Sequence, residues 1–193
     1  GQVIDALRTA IASNAPVVAR GAGCSYGDAA LLPEALVLDF SGMRRILSWD
    51  PVTGIVDVEP GVTVRQLWRQ SLPDGWWPPV VTGTMEPTIG GALAMNVHGK
   101  NNWQRGTIGE HCLEFDLVTP DGQAHTISPA SDTELFHAVI GSFGQLGIIT
   151  HADICLMPEP ACIWGVTAFL PDETAALSFV QQVRTMKRQP AAI

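Results

Sequence analysis

A chain of 193 residues with 46% hydrophobic and 16% charged side chains makes one large domain or two small ones and can bury a core, which excludes disorder. The formal net charge of −8 excludes a general electrostatic grip on nucleic acid or an anionic membrane, so an anionic ligand needs backbone N–H groups or a few placed cations. Four cysteines without a CxxC pair fit neither a zinc site nor a disulfide framework. Free thiols and a reducing, cytoplasmic setting are expected, and no run reaches the ~18 apolar residues of a membrane span.

In chain order, Ile4, Leu7 and Ile11 fall at helical spacing and predict a helix ending at Asn14, before Pro16. Val17–Ala19 predict a buried strand, a glycine-rich loop follows, and Leu36–Phe40 predict a second strand. Ile46–Trp49 and Ile55–Val58 pair as a hairpin, with Pro51 and Gly54 supplying the turn chemistry. Val64, Leu67, Trp68 and Leu72 mark a helix ending near Pro73. Residues 76–98 hold no long periodic element apart from a short helix, Thr88 to Met95, and connections of that length are commonly functional. Beyond them come a hairpin of Cys112–Thr119 with Ala124–Ile127, a helix over Thr133–Val139, strands over Gly147–Cys155 and Cys162–Leu170, and a helix over Thr174–Arg188. The order predicts an α+β fold in two unequal lobes split near residue 60, with residues 159–193 opening a further, truncated domain. Trp76–Trp77 read as a packed edge and Asp116 as the solvated face of its strand. His111, His125, His137 and His151 lack ligand spacing, so no metal is expected.

Three glycine-punctuated loops carry the chemistry. The first, RGAGCSYGD over Arg20–Asp28, has glycines at a spacing that turns successive N–H groups toward one point, with Ser25 and Tyr26 adding hydroxyl donors. A tight structural turn and an anion cradle both remain open on this loop alone, while Asp28 fits a closing role within it. It is neither a nicotinamide-type fingerprint nor a P-loop, because the third glycine is misplaced and no Gly-Lys-Ser/Thr follows. The second, GTMEPTIGG over Gly83–Gly91, offers a helix start at Thr88 to a phosphate and runs on to His98–Asn101, HGKN. The third is GSFGQLG, Gly141–Gly147. Three such loops in one small domain point to one extended ligand cradled along its length.

Together, RGAGCSYGD, GTMEPTIGGALAMNVHGKN and GSFGQLGIIT resemble the FAD-binding domain of the vanillyl-alcohol oxidase / p-cresol methylhydroxylase (PCMH-type) flavoproteins. Within that superfamily the pattern is similar to the decaprenylphosphoryl-β-D-ribose oxidase group. The resemblance covers roughly residues 1–158, as lobes of about 1–60 and 61–158, and makes 159–193 the start of a substrate domain. It implies a small α+β lobe and a larger antiparallel-sheet lobe with FAD between them. Carried over by position, it assigns Arg20, Gly21, Ala22, Gly23, Cys24, Ser25 and Tyr26 to the pyrophosphate. Gly83, Thr84, Thr88, Gly90, Gly91, Asn96 and His98 fall to the dinucleotide and flavin ring, and Gly147 and Ile149 to the adenosine side. Many sugar-lactone oxidases place a flavin-tethering histidine where this chain has Cys24, so noncovalent FAD is expected.

The implied activity is FAD-dependent oxidation of an alcohol carbon of a sugar or sugar-like small molecule by hydride transfer to flavin N5, with no acceptor specified. His98 is the candidate proton acceptor, since imidazole titrates in the useful range, and Lys100 is the candidate contact for an anionic substrate group. Two alternatives stand beside it: a noncatalytic FAD- or nucleotide-binding fragment, and a cradle for another phosphorylated ligand such as a nucleotide sugar.

Overall fold

A computed structural model describes residues 1–27, 29–80, 82–187 and 190. The chain opens with α1 (Gln2–Ser13), whose Leu7 and Ala10 are buried and which ends at Asn14 in the left-handed conformation. Two short strands follow, β1 (Val17–Arg20) and β2 (Leu36–Asp39), paired in parallel from Val17 opposite Leu36 to Arg20 opposite Asp39. The expectation that β1 is buried is corrected: its residues are only half-buried or exposed, because a two-stranded sheet has no further strand or layer to cover both faces. Leu7 and Phe40 join Val118 and Ile148 in a small cluster that ties this lobe to the larger one.

The larger lobe is built on an antiparallel sheet. Its strands are β3 (Ile46–Asp50), β4 (Ile55–Val58), then, beyond the helical segments, β6 (Cys112–Val118), β7 (Ala124–Ile127) and β8 (Ile148–Cys155), ordered β3-β4-β8-β6-β7. A separate pair, β5 (Trp76–Trp77) with β9 (Met157–Pro158), holds the two tryptophans as a packed edge, with Trp76 Nε1 donating to the Pro51 carbonyl at 2.9 Å. The hairpin β3–β4 sits on the far side of the expected split near residue 60. Val56 lies opposite Ile154 of β8, so these residues belong to the large sheet and the small lobe's own sheet ends at Asp39.

Alternation decides which face is covered. Val56, Val58, Phe115, Leu117, Ala152 and Ile154 point inward and are essentially inaccessible. Helices α2 (Val64–Ser71), α3 (Ile89–Ala94) and α5 (Thr133–Val139) contribute Leu67, Ile89, Leu93 and Phe136 to the same core, where Phe115 and Phe136 stack with centroids 5.2 Å apart. α2 begins with a capping box of Thr63 and Gln66. A short helix, α4 (Asn102–Arg105), follows the HGKN segment.

The outer face carries Asp57, Glu114, Asp116, His151 and Asp153. Asp116 is not simply solvated there. Thr126 Oγ1 donates to it at 2.6 Å and His151 Nδ1 lies 3.8 Å away, while His151 Nε2 pairs with Asp57. Burial and the neighbouring Asp57 push the Asp153 carboxyl above its usual range.

Residues 162–170 form no strand, since among the described residues nothing pairs with them, and Ile163, Trp164, Val166 and Phe169 are exposed. The last helix, α6, runs Glu173–Thr185 with Asp172 as its cap; Arg188, its expected end, lies outside the described residues, as does Asp28.

Candidate cofactor cleft

The three loops converge between the lobes on two adjoining cavities. One, of about 280 Å³, is lined by Gly21 to Tyr26 of the first loop and by Pro87, Thr88, Gly91, Ala92, Met95, Val97 and Phe143. The other, of about 70 Å³, is lined by Arg20, Gly21, Phe40, Pro60, Thr88, Gly90, Gly91, Ser142, Phe143, Gly147 and Ile149, among others. Gly21, Thr88, Gly91 and Phe143 face both.

The first loop leaves β1 at Arg20 and returns at β2. Gly23 has φ +68°, and a Cβ there would sit 2.7 Å from Arg20 Nη2, so only glycine lets the guanidinium fold back across the turn. Among the described residues, no backbone carbonyl accepts from the N–H groups of Gly21 to Tyr26. That is a row of unspent donors at the mouth of a cavity, the arrangement that binds anions.

The second loop is wired differently. Ile89 N–H donates to the Val62 carbonyl and Gly90 N–H to the Pro60 carbonyl, each at 2.8 Å. The start of α3, expected to face a phosphate, therefore has its first two donors committed to the segment after β4. What α3 gives the cleft is close approach: Thr88, 4% exposed, packs its Oγ1 directly over Gly21. Pro60 follows Glu59, a buried carboxylate that accepts from Arg45 N–H at 2.8 Å, Nε at 2.9 Å and Nη2 at 2.7 Å. Those bonds hold Glu59 below the usual carboxylate range and pair its charge one residue before Pro60, which lines the smaller cavity.

The third loop hangs from the end of α3. Gly141 N–H donates at 3.0 Å to the Leu93 carbonyl, which also accepts from Asn96 N–H, and Phe143 N–H donates to the Ala94 carbonyl at 2.8 Å, so the loop is tied to acceptors at the helix end. Ser142, one of the residues lining the smaller cavity, has a buried Oγ that meets no hydrogen-bond partner among the described residues. A buried hydroxyl without a partner is costly unless something fills the space before it.

Of the residues singled out from sequence, Arg20 to Tyr26, Thr88, Gly90, Gly91, Gly147 and Ile149 line these cavities. Gly83, Thr84, Asn96, His98 and Lys100 do not. Gly83 and Thr84 sit in an exposed turn, where Thr84 Oγ1 accepts from Glu86 N–H at 3.0 Å. Asn96, with φ 44°, accepts at its Oδ1 from Gly109 N–H at 3.1 Å, which braces the segment leading to His98. His98 is exposed, bridged to Thr107 and one residue beyond Val97 on the cavity wall; Lys100 is exposed nearby. Cys24 is an exposed free thiol, whereas burial pushes the Cys112 thiol up to about 12. Sequence reasoning missed Ser142 and Phe143. The signal for Phe143 was its place between Gly141 and Gly144, in a turn that demands left-handed backbone.

These features fit a dinucleotide: backbone N–H groups and a guanidinium for phosphate, a serine hydroxyl for a polar edge, and an apolar wall for a ring. Comparison with known proteins defines the class. The FAD binding domain family model matches residues 1–128, and the chain belongs to that PCMH-type FAD-binding family. It is 41% identical over 165 residues to the decaprenylphosphoryl-β-D-ribose oxidase of Mycolicibacterium smegmatis, covering 83% of this chain and 36% of that protein. It is 34% identical over 160 residues to cytokinin dehydrogenase 3 of Oryza sativa subsp. japonica, covering 81% and 30%. Cytokinin dehydrogenase 7 from the same plant is also 34% identical, over 188 residues, covering 92% and 34%. The chain thus spans about a third of the length of these relatives.

Proposed function

We propose that the two cavities hold noncovalent FAD, and that the protein is an FAD-dependent oxidoreductase acting on an alcohol carbon of a sugar or sugar-like small molecule. The observation that carries the reading is the row of N–H groups over Gly21–Tyr26 that meet no backbone carbonyl among the described residues, on a cavity wall shared with Thr88 and Phe143. In this reading the first loop and Arg20 bind the pyrophosphate, Ser142 donates to a phosphate or ribose oxygen, and the close packing of Thr88 on Gly21 excludes water between the loops. Bound FAD would supply a two-electron hydride acceptor at N5. His98, just outside the larger cavity, would hold the proton released from the substrate hydroxyl, and Lys100 would meet an anionic substituent. The sugar-like substrate draws support from the relative named for a decaprenylphosphoryl ribose. Cys24 stands at the mouth as a free thiol beside the cofactor.

The test is direct. The purified protein is denatured and the released chromophore identified by mass, and stripped protein is titrated with FAD by flavin fluorescence. Release of FAD, together with saturable rebinding, supports the cofactor. Colour that stays with acid-precipitated polypeptide refutes noncovalent attachment. Anaerobic bleaching by a sugar alcohol, absent in a His98→Ala variant that still binds FAD, supports the reaction; FAD binding with no bleaching by any alcohol leaves a nucleotide-binding domain.

A further inference from the structure

We propose that Phe143 is a ring clamp, stacking on a flat heteroaromatic system of the bound nucleotide; the proposal rests on the reading of the cleft as a flavin-nucleotide site. Phe143 lies on the wall of both cavities and is 61% exposed, in a loop whose neighbouring strand residues Ile148 and Ile149 are buried. Its backbone is left-handed, φ 60°, a region that a bulky L-residue occupies only under strain. Gly141 and Gly144 flank it at φ 85° and 76°, so glycine is the residue this turn favours at 143 as well.

Two costs therefore coincide at one position: an unfavourable backbone and a large apolar face presented to water. The bond that fixes the turn, Phe143 N–H to Ala94 O, repays neither cost, because it is made by the backbone and is available to glycine too. Phe143 lines the same cavity as Arg20 and as Ser142, whose hydroxyl meets no partner among the described residues. Cation, hydroxyl donor and aromatic face around one cleft match the phosphate, sugar and base of a nucleotide, and the aromatic face is the part that selects a ring.

The experiment compares wild type, Phe143→Gly and Phe143→Leu for unfolding temperature without ligand and for affinity to FAD, FMN, ADP and inorganic pyrophosphate. Phe143→Gly is expected to unfold at the same or a higher temperature than wild type, yet to bind FAD about ten-fold more weakly. Phe143→Leu, which keeps bulk and loses the ring, is expected to weaken FAD binding without the thermal gain. Pyrophosphate affinity stays unchanged in both. A loss shared by ADP but not FMN places the clamp at the adenine; the reverse places it at the isoalloxazine. Wild-type protein that binds none of these ligands overturns the cofactor reading and the clamp with it. Wild type that binds FAD, with Phe143→Gly within two-fold of it or with pyrophosphate weakened equally, overturns the clamp alone.

Discussion

Gly21→Ala tests whether the two lobes meet as tightly as the cleft requires. Gly21 is not left-handed, so alanine carries no backbone penalty there and the whole effect is one of space. Its Cβ would fall well inside the van der Waals contact distance of Thr88 Oγ1, and 3.3 and 3.4 Å from Thr88 Cβ and Cγ2. Thr88 is buried and anchored, since α3 begins at the next residue and Ile89 N–H is tied to Val62. Overpacking against a side chain that cannot withdraw costs about 1–3 kcal/mol. At about 2–4 °C per kcal/mol for a domain of this size, unfolding should fall by about 4–8 °C for a 2 kcal/mol loss. Thr88→Ala removes the offending oxygen and leaves only the 3.3 Å Cβ contact. The double variant should therefore recover about 1 kcal/mol relative to the sum of the singles. Differential scanning fluorimetry and urea unfolding of the four proteins complete the cycle. Additivity within about 0.5 kcal/mol would refute the packing argument, because non-contacting sites add to that tolerance.

Further outcomes follow from the same contacts. Glu59 has a lowered folded pKa, so its stabilisation is complete above the unfolded value of 4.5 and is lost as pH falls through the folded one. Glu59→Gln should lower stability at pH 7 and flatten the fall below pH 4.5; a parallel pH profile would refute the pairing with Arg45. Asp153 has the opposite sign. Its folded pKa is raised by burial and Asp57, so its charge disfavours folding at neutral pH, and the penalty disappears as pH falls toward 3.8. Asp153→Asn should thus stabilise at pH 7 by about 0.5 kcal/mol and lose that gain in acid. Asn96→Ala should cost about 1–2 kcal/mol, from the lost acceptor for Gly109 N–H and the left-handed backbone, whereas Asn96→Gly should cost less. At pH 8 a thiol reagent should label Cys24 and Cys162 rapidly and Cys112 only on unfolding, and FAD should protect Cys24 alone; labelling of Cys24 unaffected by saturating FAD would remove it from the cleft.

Most elements were legible because their signals are local. Helix α5 runs from Thr133 to Val139 as periodicity predicts, and the β6–β7 hairpin pairs Val118 with Ala124 around the expected turn. What was not legible is non-local. That Val56 pairs with Ile154, nearly a hundred residues away, is decided by the complementary inward faces of β4 and β8, which no window of sequence contains. The predicted strand over Cys162–Leu170 fails for the related reason that composition proposes a strand while only a neighbour makes one.

The candidate site divides along the same line. Glycine spacing announced the first loop, because backbone that approaches a ligand must lose its side chains. Whether a loop's N–H groups are free is a property of the whole fold. The first and second loops look equally suited to phosphate in sequence, yet Pro60 and Val62 consume the donors of the second, while among the described residues none of the first loop's donors from Gly21 to Tyr26 meets a backbone carbonyl. The two loops then have separate tasks. One presents donors; the other, through Thr88 over Gly21 and the Leu93 and Ala94 carbonyls under the third loop, fixes where those donors point. A phosphate analogue should consequently protect the amides of Gly21–Tyr26 from hydrogen exchange and leave those of Ile89 and Gly90 as slow as they already are. Protection that instead begins at Ile89 would reverse the assignment.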